Sequence, residues 1–582
     1  MTAAGLAAAS CAQPTPEVVE KEVAVEKVVK ETVVVEKEVA VEKVVTATPV
    51  VSKYGEAPML SGAVQGGELP PVDERVPDEP MIIEPWEEIG EYGGTWHRLS
   101  VSAGDIRTPD RLMYDNIIRW DKDAVELVPN SIKGWETNED MTEYTFNLRQ
   151  GMKWSDGEPY TADDMEFYFV DHLGNEDITP TVSRYFISGG EVAAFSKVDD
   201  YTWKLTFAEP YPLFAVYSAS AYIYMMNQYP KHYCQQFHPN YVDQAELEKM
   251  ATDEGFEFWY QLYGERTGGS AHKNNVDLPV IHAWRVTVPP PKQPVVLERN
   301  PYYYKVDTEG NQLPYIDRIE HVIVQNKNII NQRAIAGEVD MQLRHMTFDN
   351  FPLFQESKER GDYRILGWTK GYSSDSATYL NPFIEDRVKG KIFGDPRFRY
   401  ALSLAMNRPE IIDALYLGVT EPSQVSVPSN SPFYWEEYAK FMTEYDVDQA
   451  NAYLDEMGLT ERDNENYRLM PDGNRLTIIY EYAPVFGSWG AQGELLTEHY
   501  KDIGVEFLVK EESRQLWNER RMTNQIEMTV WTSGGTFNPM IKRTWFNGLE
   551  GGYWHTYGQW VNTGGKEGIE PPPGSDHAKL LE

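Results

Sequence analysis

His232, Cys234 and His238 stand close enough together to raise the question of a metal site. A lone cysteine among aromatic residues is more often a small buried hydrophobe, however, and the set lacks the carboxylates that a transition-metal site would add. No metal is therefore expected. The only other cysteine is Cys11, which excludes a disulfide framework, an iron–sulfur cluster and a four-thiolate zinc site. The chain contains no P-loop, no His-Glu-x-x-His, no Gly-x-Ser-x-Gly, and no Gly-x-Gly-x-x-Gly between a strand and a helix. Carboxylates are abundant, but spacing along a chain does not report the separation through space that a glycosidase needs. Neither catalysis nor a cofactor is expected. The chemistry best represented is that of 16 Trp, 36 Tyr and 22 Phe, whose apolar faces and polar rims suit stacking on sugar rings or packing peptide side chains.

These residues must be positioned by more than one domain, because single cores stop growing at about 250–300 residues and this chain has 582. Ninety-one acidic against 53 basic residues leave a net charge of −38, a poor match for nucleic-acid phosphates or an anionic leaflet. At 41 % hydrophobic residues the composition is globular, and no apolar run reaches the roughly 18 residues of a membrane span.

Residues 1–11, MTAAGLAAASC, are similar to the end of a bacterial lipoprotein signal, with Ala8-Ala9-Ser10 before Cys11 as the lipid-attachment site; they lack its charged start. EKEVAVEKVV then occurs at Glu20–Val29 and again at Glu36–Val45. With only Val and Ala as apolar residues, residues 17–45 cannot offset the entropy of ordering, and they carry only −3 of the charge. A disordered tether and linker is expected over 12–85, with the folded body starting near Trp86.

In the body, Gly93-Gly94 followed by Thr95–Leu99 predicts a turn feeding a strand, and a helical stretch is expected around Leu112–Trp120. Tyr144, Phe146 and Leu148 alternate as in a strand with one buried face; Asp156-Gly157 supplies a turn. Thr161 has the chemistry of a helix N-cap, with Asp163 and Asp164 in the first turn.

The whole stretch YTFNLRQGMKWSDGEPYTADDMEFYF, residues 144–169, resembles the hallmark of the family 5 extracellular solute-binding proteins, receptors of dipeptide, oligopeptide, nickel and oligosaccharide ABC transporters. Further matching segments follow in the same order: Val198–Leu205, Pro230–Tyr233, Arg299–Tyr303 with Leu313–Asp317, Ala336–Asp340, Phe393–Arg408 and Tyr445–Gly458. The resemblance implies an α/β, two-lobed periplasmic-binding-protein-like fold with mixed sheets, a crossover-strand hinge and an extra subdomain on the first lobe. It places lobe I at 86–365 plus 531–582 and lobe II at 366–530. The end of the chain falls inside a helix like Ser575–Glu582, where family members usually continue, so a clipped terminus is expected.

Mapped onto that fold, the ligand-binding candidates are Trp368, Tyr372, Tyr379 and Asn381 on the first crossover and Trp531, Ser533, Phe537 and Asn538 on the second. Trp435 and Trp545, with Tyr553 and Trp554, lie in loops able to reach the cleft. In the family's peptide receptors the second crossover carries an Asp-Tyr pair whose carboxylate meets the peptide's α-ammonium. Here the stretch is Trp531-Thr-Ser-Gly-Gly-Thr-Phe-Asn-Pro539, without that acid, unless Asp375 replaces it. A buried ammonium without a counter-charge is costly, so a neutral oligosaccharide competes with an oligopeptide as ligand. The resemblance further implies a monomeric, extracytoplasmic, lipid-anchored receptor that delivers its ligand to ABC permease subunits by hinge closure. A secreted glycosidase or peptidase, or a sensing or adhesive surface lipoprotein without transport, is the alternative.

Overall fold

The computed structural model describes residues 52–106, 112, 115–220, 223–368, 374–533, 538, 555–563, 565–575 and 578. The repeat region and Cys11 lie outside them. Folded structure begins earlier than composition suggested. Residues 58–65 and 72–75 form helical turns, and Met81–Ile83 pairs in parallel with Lys305–Asp307. Arg75 is fully buried, donating to Pro70 O, Pro301 O, the Gln312 side chain and Glu56. A Pro- and Gly-rich stretch thus reads as linker locally while docking through contacts more than 200 residues away.

In the first lobe, β1 (Thr95–Ser100) follows Gly93 and Gly94, whose φ values of 124° and 77° suit residues without a Cβ. The helix expected around 112–120 is not what forms at its end. Ile118–Trp120 is a strand paired antiparallel with Leu127–Pro129, and the turn between them is held by Asp121 Oδ1, which accepts from Val125 N and Glu126 N. Next come β2 (Ile132–Thr137) and β3 (Glu143–Leu148), then α1 (Ala162–Glu166), β4 (Ala194–Lys197) and β5 (Thr202–Thr206). The four strands form an antiparallel sheet ordered β2-β3-β5-β4. Tyr144, Phe146 and Leu148 point into its core as their alternation required, and Phe146 stacks on Trp203 at 4.2 Å. Thr161 caps α1 in a capping box closed by Asp164. Asp164 also accepts from Lys231 N and Trp154 Nε1, and burial raises its carboxyl to about 6.

A second sheet consists of β6 (Trp284–Val288), β7 (Val295–Arg299) and β8 (Arg318–Ile323), closed by β1 parallel to β8. After it, α2 (Lys327–Ile335) is capped by Asn326.

The second lobe is built on β9 (Ser374–Leu380), α3 (Pro396–Ala405), α4 (Arg408–Tyr416) and α5 (Val447–Glu456). It continues with β10 (Thr477–Tyr482), α6 (Trp489–Lys501), β11 (Glu506–Glu511), α7 (Arg514–Met522) and β12 (Met528–Ser533). Its sheet runs β9-β12-β10-β11, with β12, β10 and β11 parallel and β9 antiparallel to β12. The two stretches expected to cross between lobes are therefore neighbours, pairing Ala377 with Trp531 and Ser374 with Ser533 around a bulge. Two separate large cores result, one between Ile117 and Tyr304 and one between Leu380 and Val530.

Candidate functional site

Strand alternation sorts the second-lobe sheet into two unlike faces. Ile478 and Tyr480 of β10, Phe507 of β11, and Met528 and Val530 of β12 belong to the buried core. Between them in register, Glu481 pairs with Lys510 and with Thr529, so these three and the following Glu512 and Trp531 share the opposite face. Helix α7 covers that face with Trp517 and Arg520. Trp517 is buried, donates to Thr529 Oγ1 at 2.8 Å and stacks on Trp531 at 4.7 Å with 11° between planes.

The charges on this face are matched. Glu481, almost fully buried, receives Lys510 Nζ and Arg520 Nη2 on Oε1, each at 2.7 Å. Glu512, equally buried, has Lys510 at 2.7 Å and Arg520 at 3.3 Å from its Oε1, while its Oε2 has no hydrogen-bond partner. Hydrogen bonds donated to both carboxylates hold the Lys510 ammonium above its usual range. At the strand end, Tyr482 Oη donates to Glu511 Oε2 at 2.8 Å, and burial together with that carboxylate pushes the phenol up to about 12.

A recess of about 480 Å3 opens here, lined by Pro484, Val485, Glu511, Glu512, Ser513 and Arg514. It lies beyond the carboxyl ends of parallel β10 and β11, where open α/β sheets characteristically take ligands. The Arg514 guanidinium lies 5.8 Å from the Trp531 ring centre, and Phe486 and Trp489 meet the same ring at 5.5 and 5.4 Å. Elements of the two lobes touch nearby. Ser488 Oγ donates to Asp349 Oδ1 at 2.5 Å, Lys327 Nζ to Pro484 O at 3.4 Å, and Phe348 packs on Tyr416 at 6.4 Å.

The candidates named from sequence fall in different places. Trp531 is half-buried within the aromatic group beside the recess, and Ser533 is buried at the end of β12. Tyr379 is buried in β9. Asn381 is buried with its amide committed to Asn524 Oδ1 and Ile526 O, and its Oδ1 to Phe383 N. Trp368 is exposed in the segment before β9. Trp435 is exposed and stacks on Tyr438 at 6.1 Å. Asn538 is half-buried. Tyr372, Phe537, Trp545, Tyr553 and Trp554 lie outside the described residues. Asp375 sits in the bulge of β9 beside Ser533, its carbonyl accepting from Trp489 Nε1 at 3.0 Å.

His232 pairs with Asp156 at 2.8 Å, Cys234 is buried in the first core, and His238 Nε2 lies 3.2 Å from Asp171 O. Among the described residues no group of three metal-ligating side chains is gathered. Sequence reasoning passed over Glu481, Glu512, Arg514 and Trp517. The available signal was a glutamate inside the apolar run Thr477–Tyr482.

Two α/β lobes joined by paired strands, with a ligand-sized recess at the carboxyl edge of one sheet, define a periplasmic-binding-protein fold. Residues 126–553 match the family model for bacterial extracellular solute-binding proteins, family 5 Middle, and the chain belongs to that family. The periplasmic α-galactoside-binding protein of Rhizobium meliloti (strain 1021) is 26 % identical over 441 residues, which cover 70 % of this chain and 60 % of that relative's length. A solved oligopeptide-binding protein OppA is 37 % identical, with a TM-score of 0.69 over 91 % of this chain and 85 % of its own. The periplasmic binding protein MelB of Agrobacterium fabrum C58, solved in complex with stachyose, shares the fold at 22 % identity and a TM-score of 0.61, covering 82 % of this chain and 74 % of that one.

Proposed function

We propose that this protein is the solute-binding receptor of an ABC import system, taking an oligosaccharide between its lobes and presenting it to permease subunits on closure. The observation that carries this reading is the sheet edge of the second lobe, where aromatic rings, matched charges and a recess meet next to the paired strands β9 and β12. Ligand contacts from both lobes exist only when the lobes approach, so ligand shifts the open–closed equilibrium toward closure. The second lobe comprises about residues 366–530, and the first includes the docked segment from residue 52. The receptor works outside the cytoplasm as a monomer, held to the membrane through lipidated Cys11, and carries out no turnover.

An oligopeptide is the second reading. It is favoured by the 37 % identity to an oligopeptide-binding protein and by the place of Asp375 beside the second crossover. A thermal-shift panel of oligosaccharides and peptides on the purified full chain separates the two, followed by chromatography of the recovered ligand. Stabilisation by an oligosaccharide recovered intact is expected. Stabilisation by peptides alone selects the second reading, and cleaved product overturns the receptor function.

A further inference from the structure

We propose that residues 340–345 form a releasable strap, which fastens the part of the chain that touches the second lobe to the outer edge of β1 and, by letting go, frees the two lobes to move apart. The strap rests on the receptor reading above for its lobe motion, but it contacts no ligand and depends on no ligand class.

β1 is the outer strand of its sheet, with β8 on one side only. The outward N–H and C=O groups of such an edge need partners. Here the partners are mainly side chains. Asp340 Oδ2 accepts from His97 N at 2.6 Å and lies 2.9 Å from His97 Nδ1. Gln342 Oε1 accepts from Leu99 N at 3.1 Å, while its Nε2 donates to Leu99 O at 3.2 Å. Trp96 Nε1 donates to Met341 O at 3.1 Å. Among the described residues a single backbone–backbone bond, Asp340 N to His97 O at 3.3 Å, joins strap and strand. The alternation is also the reverse of a permanently packed strand. Polar Asp340 and Gln342 reach β1, whereas Met341 and Leu343 are 45 % and 66 % exposed. A segment held by polar groups that water can replace, with its apolar side chains left outside, gains little from burial and detaches readily.

The end of the strap carries strain. His345 has φ 63°, in the left-handed region that is unfavourable for a residue with a Cβ. Buried Asp105 holds it there, with Oδ2 2.7 Å from His345 Nε2 and Oδ1 accepting from Arg344 Nε. Asn331 of α2 adds a bond from Nδ2 to His345 O at 2.8 Å. Strain held by neighbours is relieved when they separate, which lowers the cost of letting go.

The chain on both sides of the strap reaches the second lobe. Before it, Lys327 of α2 donates to Pro484 O; after it, the helical turn Phe348–Asn350 brings Phe348 onto Tyr416 and Asp349 onto Ser488. Asn331 Oδ1 ties the two pieces together by accepting from Thr347 N at 3.1 Å. The strap is thus the grip of this unit on the first-lobe sheet, while its other side meets the second lobe.

Hydrogen exchange of the ligand-free full chain, read by mass spectrometry, tests the strap. In wild type the amides of His97, Leu99 and the strap are expected to exchange together and about a hundredfold faster than those of β7, the neighbouring inner strand, because they open locally. Gln342→Ala and Asp340→Ala are each expected to speed exchange at His97 and Leu99 by about a further tenfold. Their circular dichroism is expected to be unchanged, and small-angle scattering is expected to show a pair-distance distribution shifted to longer distances. Exchange of His97 and Leu99 at the rate of β7 would make the strap permanent packing and overturn the proposal; being a wild-type result, it holds even where a variant does not fold. Faster exchange in both variants with unchanged scattering would overturn the link to lobe motion. Either failure leaves the receptor function standing, since ligand stabilisation of wild type tests that separately.

Discussion

Both lobes bury charge, but they do so to different ends. In the first, Asp115 is fully enclosed, taking Lys305 Nζ at 2.8 Å and the hydroxyls of Tyr304 and Tyr303 at 2.9 and 3.2 Å, with His282 Nδ1 at 3.6 Å. The surrounding core is aromatic, with Tyr303 and Tyr304 among its buried residues. In the second, Glu481 and Glu512 are as deeply buried, yet their network ends at a recess. A sealed ion pair serves the fold alone, because removing either partner strands the other in a medium that cannot solvate it. The second network instead reaches the lining of that recess through Glu512.

The sharpest break of this contrast is Asp115→Ala. It leaves Lys305 uncompensated and is expected to cost about 3–5 kcal/mol of first-lobe stability in denaturant unfolding, with ligand affinity within twofold of wild type. An equal loss of affinity would mean that the closed network is coupled to the site.

Acidification comes next. Burial holds His172 and His321 down to about 3, and holds His272 and His238 below 6.5. The unfolded chain therefore binds protons that the folded one refuses, so stability present above pH 6.5 is lost as the pH falls below it. Two groups oppose this trend. Asp164, raised to about 6, gains stability between about 6 and 3.8. Burial lowers His232, but the Asp156 hydrogen bond and the charges of Asp156, Asp164 and Glu158 together outweigh it, so the group is raised and stabilises below its raised value. The net expectation is a loss of about 2–4 kcal/mol between pH 7 and 5, concentrated in the first lobe, which holds all four depressed histidines. Calorimetric scans across that range check it, and a second-lobe transition that moved equally would erase the distinction.

Trp531→Ala removes a half-buried ring stacked on Trp517. It is expected to cost about 2 kcal/mol of second-lobe stability and, in addition, at least tenfold in ligand affinity. Loss of stability alone would assign the ring to packing. The smallest effect belongs to Thr161→Ala, which deletes the cap of α1 for about 1 kcal/mol and leaves affinity unchanged in the same titration.

Local chemistry made much of the frame legible. Alternation at Tyr144–Leu148, the Thr161 cap with Asp164, the paired glycines before β1 and the helices after Asp395 and Asp446 depend on neighbours within a few residues, and the sequence displays those neighbours directly. The same locality misled at Ile118–Trp120, where a helical pattern gave way to a hairpin held by Asp121, and over residues 52–85, where Arg75 finds its partners at Pro301 and Gln312.

At the site, the sequence alone pointed to aromatic side chains in the absence of a catalytic motif, and its resemblance placed Trp531 on the second crossover. Only the tertiary structure decided which charges accompany it. Glu481, Lys510, Glu512 and Arg520 come from a strand, the edge of a second strand and a helix, and they share one face because three parallel strands align in one register. Register is a property of pairing between distant segments, and a shift of one residue would turn every one of these side chains to the opposite face.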